Sequence, residues 1–115
     1  MFAWGRKGPK PHKPAGLESA VIAALRTVFD PEIPVNIYDL GLIYALEVDE
    51  PQGFVHLRMT LTAPGCPVAQ TFPRTVGVAV EAVAGVRDVH VELVWDPPWD
   101  REMMTEAARL ELGML

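Results

Sequence analysis

The alternation of Val55, Leu57, Met59 and Leu61 with His56, Arg58, Thr60 and Thr62, cut off at Pro64-Gly65, constrains the fold more than any other feature of the chain. Period two marks a strand with one face buried and one face wet, so this segment requires both a partner strand and a covering layer. Pro64 presets one φ and Gly65 supplies a positive one, which turns the chain at once. Pro67 then suits the first position of a helix. Cys66, the only cysteine, would sit at that helix N-terminus, where unpaired N–H groups and the positive end of the helix dipole favour a thiolate.

The flanking segments supply what the strand needs. Leu17, Val21, Ala24, Leu25 and Val28 recur at helical spacing, which predicts a helix running to about Phe29 and ended by Asp30-Pro31. Residues 32–39 hold Pro34 among acids and apolar residues and read as a stiff loop packed on the core. Gly41 releases the chain into a strand with Leu42, Tyr44, Leu46 and Val48 on one face. Glu50-Pro51-Gln52-Gly53 is a turn signal, so this strand and the next form an antiparallel hairpin. Val68 to about Val83 carries a helical pattern, in which Pro73 is tolerated only near the start. Gly85 suits its C-cap, and Val89, Val91, Leu93 and Trp95 mark a third strand. Asp100 caps a last helix with Met104, Ala108 and Leu112 on one face. The order α-β-β-α-β-α implies an α+β fold of two layers, with a small mixed sheet of about three strands packed by helices.

The 115 residues fit one domain, 17–115, behind a basic, proline-rich leader at 1–16 that reads as disordered. The leader holds Arg6, Lys7, Lys10 and Lys13 and no acid; removing these four from ten cations leaves six against fifteen acids, so the remainder carries −9. A body that acidic repels phosphates, which argues against nucleic acid as a partner. No apolar run is long enough to span a membrane, a lone cysteine excludes an internal disulfide, and the leader lacks a secretory apolar stretch. A reducing cytoplasm is the expected compartment.

Cys66 could be a small buried hydrophobe, but its place between Gly65 and Pro67 favours an exposed, reactive thiol. His12, His56 and His90 form no metal-ligand spacing with it, and His56 and His90 fall on the polar faces of their strands, where a solvated or partner-facing surface is the simpler reading. Asp30, Glu32 and Asp39 either satisfy backbone N–H groups in turns or, if their loop meets the Cys66 turn, supply or orient oxygen ligands. Trp95 and Trp99, around Asp96-Pro97-Pro98, either plug one end of the core or mark a docking surface. A thiol-dependent enzyme would need His56 or His90 within reach of Cys66 as its base.

Three separated stretches in this order, Asp30 to Tyr44, Met59 to Pro67 and Val94 to Trp99, with Met104 to Gly113 behind them, closely resemble the SufT-like family of iron-sulfur cluster assembly factors of the SUF system. Related members act in eukaryotic cytosolic iron-sulfur targeting. The resemblance implies a small cytoplasmic α+β domain that assists maturation of iron-sulfur proteins and is not an enzyme. It implies assembly machinery and client apo-proteins as partners, and transient contact with iron or a cluster in place of a certain cofactor. It places the family's reactive cysteine on Cys66 and its acidic loop on Asp30, Glu32 and Asp39, with Thr62 supporting. The PaaD-like branch, accessory to an oxygenase, carries further C-terminal cysteines that this chain lacks. One thiol cannot complete a metal or cluster site alone, which leaves a homodimer or a partner-shared site open.

Overall fold

The computed structural model describes residues 16–62 and 71–113. Helix α1 spans Gly16–Leu25 and buries Leu17, Val21 and Leu25, the stripe expected from their spacing. It ends four residues before the expected Phe29. The last carbonyls are taken by tighter i→i−3 bonds from Thr27 and Val28, and the Thr27 hydroxyl donates to Ala24 O at 2.6 Å. The chain from Val28 onward instead folds back on residues 35–37. Phe29 bridges Asn36, Ile37 N donates to Val28 O and Asp30 N donates to Val35 O.

Strands β1 (Ile43–Asp49) and β2 (Phe54–Met59) form the expected antiparallel hairpin, closed by Gly53 at φ +75. The register shifts between Ile43 and Ala45, so Leu42 precedes the strand and Tyr44 lies at the irregularity. Helix α2 spans Phe72–Glu81, with Pro73 in its first turn, where a proline costs no ladder bond. Its N-cap is Thr71. The expected start at Pro67, and with it the placement of Cys66 at a helix N-terminus, lies outside the described residues. Ala82, not Gly85, is the C-cap; Gly85 at φ +99 instead approaches Gly53, in the turn where Arg87 N donates to Gly53 O.

Strand β3 (Asp88–Leu93) runs parallel to β2, giving the order β1-β2-β3 with β2 central. A parallel neighbour requires a crossover, and α2 lies within it. The mixed three-stranded sheet and the order α-β-β-α-β-α agree with the sequence reading. The expected last helix is divided. Asp100 caps a 3₁₀ turn at Arg101–Met103, and Thr105 caps a separate α3 at Glu106–Glu111 by accepting from Ala108 N. Met104 and Ala108 are nonetheless both buried, as their spacing requires.

One layer of helices covers the sheet. Val48, Val55, Leu57 and Met59 face it, Val76 and Val80 of α2 and Val21 and Leu25 of α1 fill it, and Ile37, Leu40 and Leu42 close one end. Each fully buried Leu or Val contributes roughly 1.5–3 kcal/mol of transfer free energy. The opposite face carries Glu47, His56, Arg58, His90 and Glu92.

Candidate functional site

The loop of residues 30–42, the end of β2 and the C-terminal segment meet at one end of the sheet. Thr60 N donates to Leu42 O at 2.9 Å, and Val94 N donates to Met59 O at 2.8 Å. The chain therefore leaves the sheet at a fixed point, with Thr60 and Leu61 buried and Thr62 half-buried. Cys66 follows four residues later and lies outside the described residues.

Residues 97–105 strap this end. Trp99 Nε1 donates to Leu40 O at 2.7 Å, Tyr44 Oη donates to Pro97 O at 2.7 Å, and Thr105 N donates to Asp39 O at 2.9 Å. Gly41 has φ +85, and a Cβ built there would collide with the Met103 carbonyl, so only glycine lets the strap lie this close. Trp99 thus plugs the core end, while Trp95 stays exposed. Burial raises the Tyr44 pKa above its ordinary value, and the negative charges of Asp100 and Asp96 add to the rise. The wholly buried Thr60 hydroxyl opposes it weakly and makes no well-aligned hydrogen bond among the described residues.

The loop acids are mostly engaged. Asp30 is buried, and its Oδ2 accepts from Glu32 N and Ile33 N at 2.8 Å each, an Asx turn that closes the loop. Asp39 Oδ2 accepts from Asn36 Nδ2 at 2.8 Å, and its Oδ1 stands 3.8 Å from Arg26 Nε. Asn36 Oδ1 in turn accepts from Asp39 N at 2.9 Å. Glu32 is exposed. Of the acids singled out from sequence, two build the loop and one faces solvent.

A second polar group occupies the uncovered face. The ladder sets Glu47 opposite His56 and His56 opposite His90, with Arg58 opposite Glu92 one step along. The two imidazole centroids are 4.9 Å apart. His56 Nε2 lies 3.5 Å from Glu92 Oε1, His56 Nδ1 lies 3.8 Å from Glu47 Oε1, and Arg58 Nε lies 3.4 Å from Glu92 Oε1. Reading the strands singly assigns both histidines to a polar surface but misses that the parallel register joins them. A signal was available: Val55-His56-Leu57-Arg58 and Val89-His90-Val91-Glu92 share one pattern, and two such segments side by side align their histidines.

Comparison with known proteins places the chain in a family. The family described as iron-sulfur cluster assembly protein matches residues 18–93. An Fe-S protein maturation auxiliary factor of Porphyromonas gingivalis is 52% identical over 98 residues, covering 85% of this chain and 92% of that protein. The Fe-S protein maturation auxiliary factor SufT of Staphylococcus aureus is 37% identical over 87 residues, covering 76% of this chain and 98% of its own. Among solved structures, a domain of unknown function, DUF59, from Bacillus anthracis superposes with a TM-score of 0.77 at 36% identity, over 86% of this chain and 93% of that one. The chain belongs to the iron-sulfur cluster assembly protein family.

Proposed function

We propose that the chain is an accessory factor in the maturation of iron-sulfur proteins, meeting iron or a cluster as cargo through Cys66 and performing no turnover of its own. The observation that carries this reading is the similarity to proteins named Fe-S protein maturation auxiliary factors over most of both lengths. The chemistry is compatible. A thiolate suits soft iron or a cluster edge, and one chain supplies a single thiol where a cluster conventionally takes four ligands. The remaining ligands then come from assembly machinery, a client apo-protein or a second copy, which favours brief contact and transfer over storage. Asp30 and Asp39 support this role by shaping the loop; Glu32 is the acid among the three free to approach a partner. No described helix is long and apolar enough to cross a membrane, and a cytoplasmic site of action fits the reading.

The test is complementation with Cys66→Ser. Serine is nearly isosteric, and its hydroxyl is a poor ligand for soft metal. The variant is expected to melt like the parent and to fail to support iron-sulfur enzyme activity in a strain that depends on this protein. A normal melt with full activity would make the thiol dispensable and move the function to Glu32 or the Trp95 surface.

A further inference from the structure

We propose that His56, His90 and Glu92 form a binding site for one divalent transition-metal ion of the zinc or ferrous class on the open face of the sheet. The site is separate from Cys66 and stands whether or not that thiol handles iron. One ligand atom from each of the three residues lies within 4.8 Å of the others. A tetrahedral ion with bonds of about 2.1 Å holds its ligand atoms roughly 3.4 Å apart. The 3.5 Å between His56 Nε2 and Glu92 Oε1 already meets that spacing. The third atom closes the triangle by small side-chain rotations on a face that no described helix covers.

Three observations point to a cation. His56 Nε2 is shielded from solvent and has no hydrogen-bond partner among the described residues, and only the 3.5 Å approach of Glu92 Oε1 answers it. A metal ion would satisfy it without breaking a hydrogen bond at that nitrogen. The three strands also present Glu47, Asp49, Asp88 and Glu92 against Arg58, an excess of negative charge around the imidazoles. Finally, the histidines line an open cleft with Glu47, Asp49, Phe54 and Asp88, which leaves room for water or a fourth ligand. Glu47 Oε1, 3.8 Å from His56 Nδ1, is beyond hydrogen-bond distance but stands on the side of the ring from which a carboxylate supports a metal-bound imidazole. Two imidazoles and a carboxylate select a borderline ion over calcium or magnesium, which prefer all-oxygen shells. The competing contact at Glu92 is weak. Arg58 is over half exposed and 3.4 Å from Glu92, a surface pair that an ion displaces.

The experiment uses the full chain carrying Cys66→Ser, so that no thiol binds metal, and titrates it with zinc by calorimetry. One equivalent is expected to bind, with His90→Gln and Glu92→Gln each weakening it at least tenfold. Both side chains are at least partly exposed, so both variants should melt normally. In parallel, zinc should shift the ring-nitrogen resonances of His56 and His90 and leave His12 in place, a readout that needs no site variant. No stoichiometric binding, less than a tenfold loss in either variant, or unmoved His56 and His90 resonances overturns the proposal.

Discussion

At the strapped end of the sheet, Asp30 accepts two backbone N–H groups at 2.8 Å each and Trp99 donates to Leu40 O at 2.7 Å. On the open face, the shortest ion pair is 3.4 Å, and His56 Nε2 makes no hydrogen bond among the described residues, with Glu92 Oε1 at 3.5 Å its loose ionic neighbour. Both regions concentrate polar side chains, but the first spends them on holding backbone and the second leaves them available. A carboxylate that already accepts two N–H groups can take a metal only by releasing them, whereas a loosely paired histidine surrenders almost nothing. The comparison therefore assigns architecture to the loop acids and ligand capacity to the strand histidines. Substitutions should be costly at the strap and cheap on the face.

The largest effect is expected at Gly41. Valine there must adopt φ +85 and push its Cβ into the Met103 carbonyl, which separates the strap from the loop. Left-handed strain in a β-branched residue together with the displaced contact should cost about 3 kcal/mol. Chemical denaturation measures it, and a loss below about 1 kcal/mol would show that the strap yields freely. Asp30→Ala comes next. It orphans Glu32 N and Ile33 N and should cost about 1–2 kcal/mol. Asp30→Asn retains an acceptor oxygen and should recover most of this, together with activity in the dependent strain. Were Asp30→Asn stable but inactive, the carboxylate charge would have a role beyond the turn.

Most of the architecture was legible because period and punctuation agree. Val55, Leu57 and Met59 are buried as their alternation requires, and Phe72, Val76 and Val80 of α2 are buried at four-residue steps. Element ends were less legible. The Thr27 hydroxyl and the fold-back of residues 28–37 stop α1 early, and these depend on contacts with Val35 and Ile37 that no local pattern announces. At the strapped end, sequence narrowed the acids to two roles, turn closure or metal support, and the distances choose turn closure for Asp30. The histidine pair was hidden for a topological reason. His56 and His90 are 34 positions apart, and only the parallel register of β2 and β3 makes them neighbours.

A smaller effect concerns Tyr44, which belongs to the strap through Pro97. Its pKa is raised from 10.0, first by burial and then by Asp100 and Asp96, so the fold favours the neutral phenol. The sign follows from linkage: this contribution is whole below the unfolded value near 10 and is lost as pH rises through the higher folded value. Stability should therefore fall on the alkaline side. Tyr44→Phe should remove that slope while costing about 1 kcal/mol at neutral pH for the lost bond to Pro97 O. Alkaline titration of phenolate absorbance, with Tyr44→Phe as the difference, checks it. An unchanged high-pH transition in the variant would detach Tyr44 from the strap.

The smallest effect on folding, and the one that sharpens the comparison most, is expected for Arg58→Ala. Its guanidinium is over half exposed and reaches Glu92 only at 3.4 Å, so its removal should change stability by less than about 0.5 kcal/mol. The same substitution should act on metal binding in the opposite sense from His90→Gln. With Arg58 present, a divalent ion at His56, His90 and Glu92 must displace the guanidinium or bear its repulsion across a few ångströms of screened surface. That penalty is about 1 kcal/mol at an exposed site, so Arg58→Ala should tighten zinc roughly fivefold. Zinc calorimetry at low and high salt reads it, and the gain should shrink as salt rises, since screening weakens the repulsion being removed. If Arg58→Ala destabilises the fold by more than about 1 kcal/mol and leaves zinc affinity unchanged, the open face is architecture in the same sense as the strap, and the contrast between the two regions is lost.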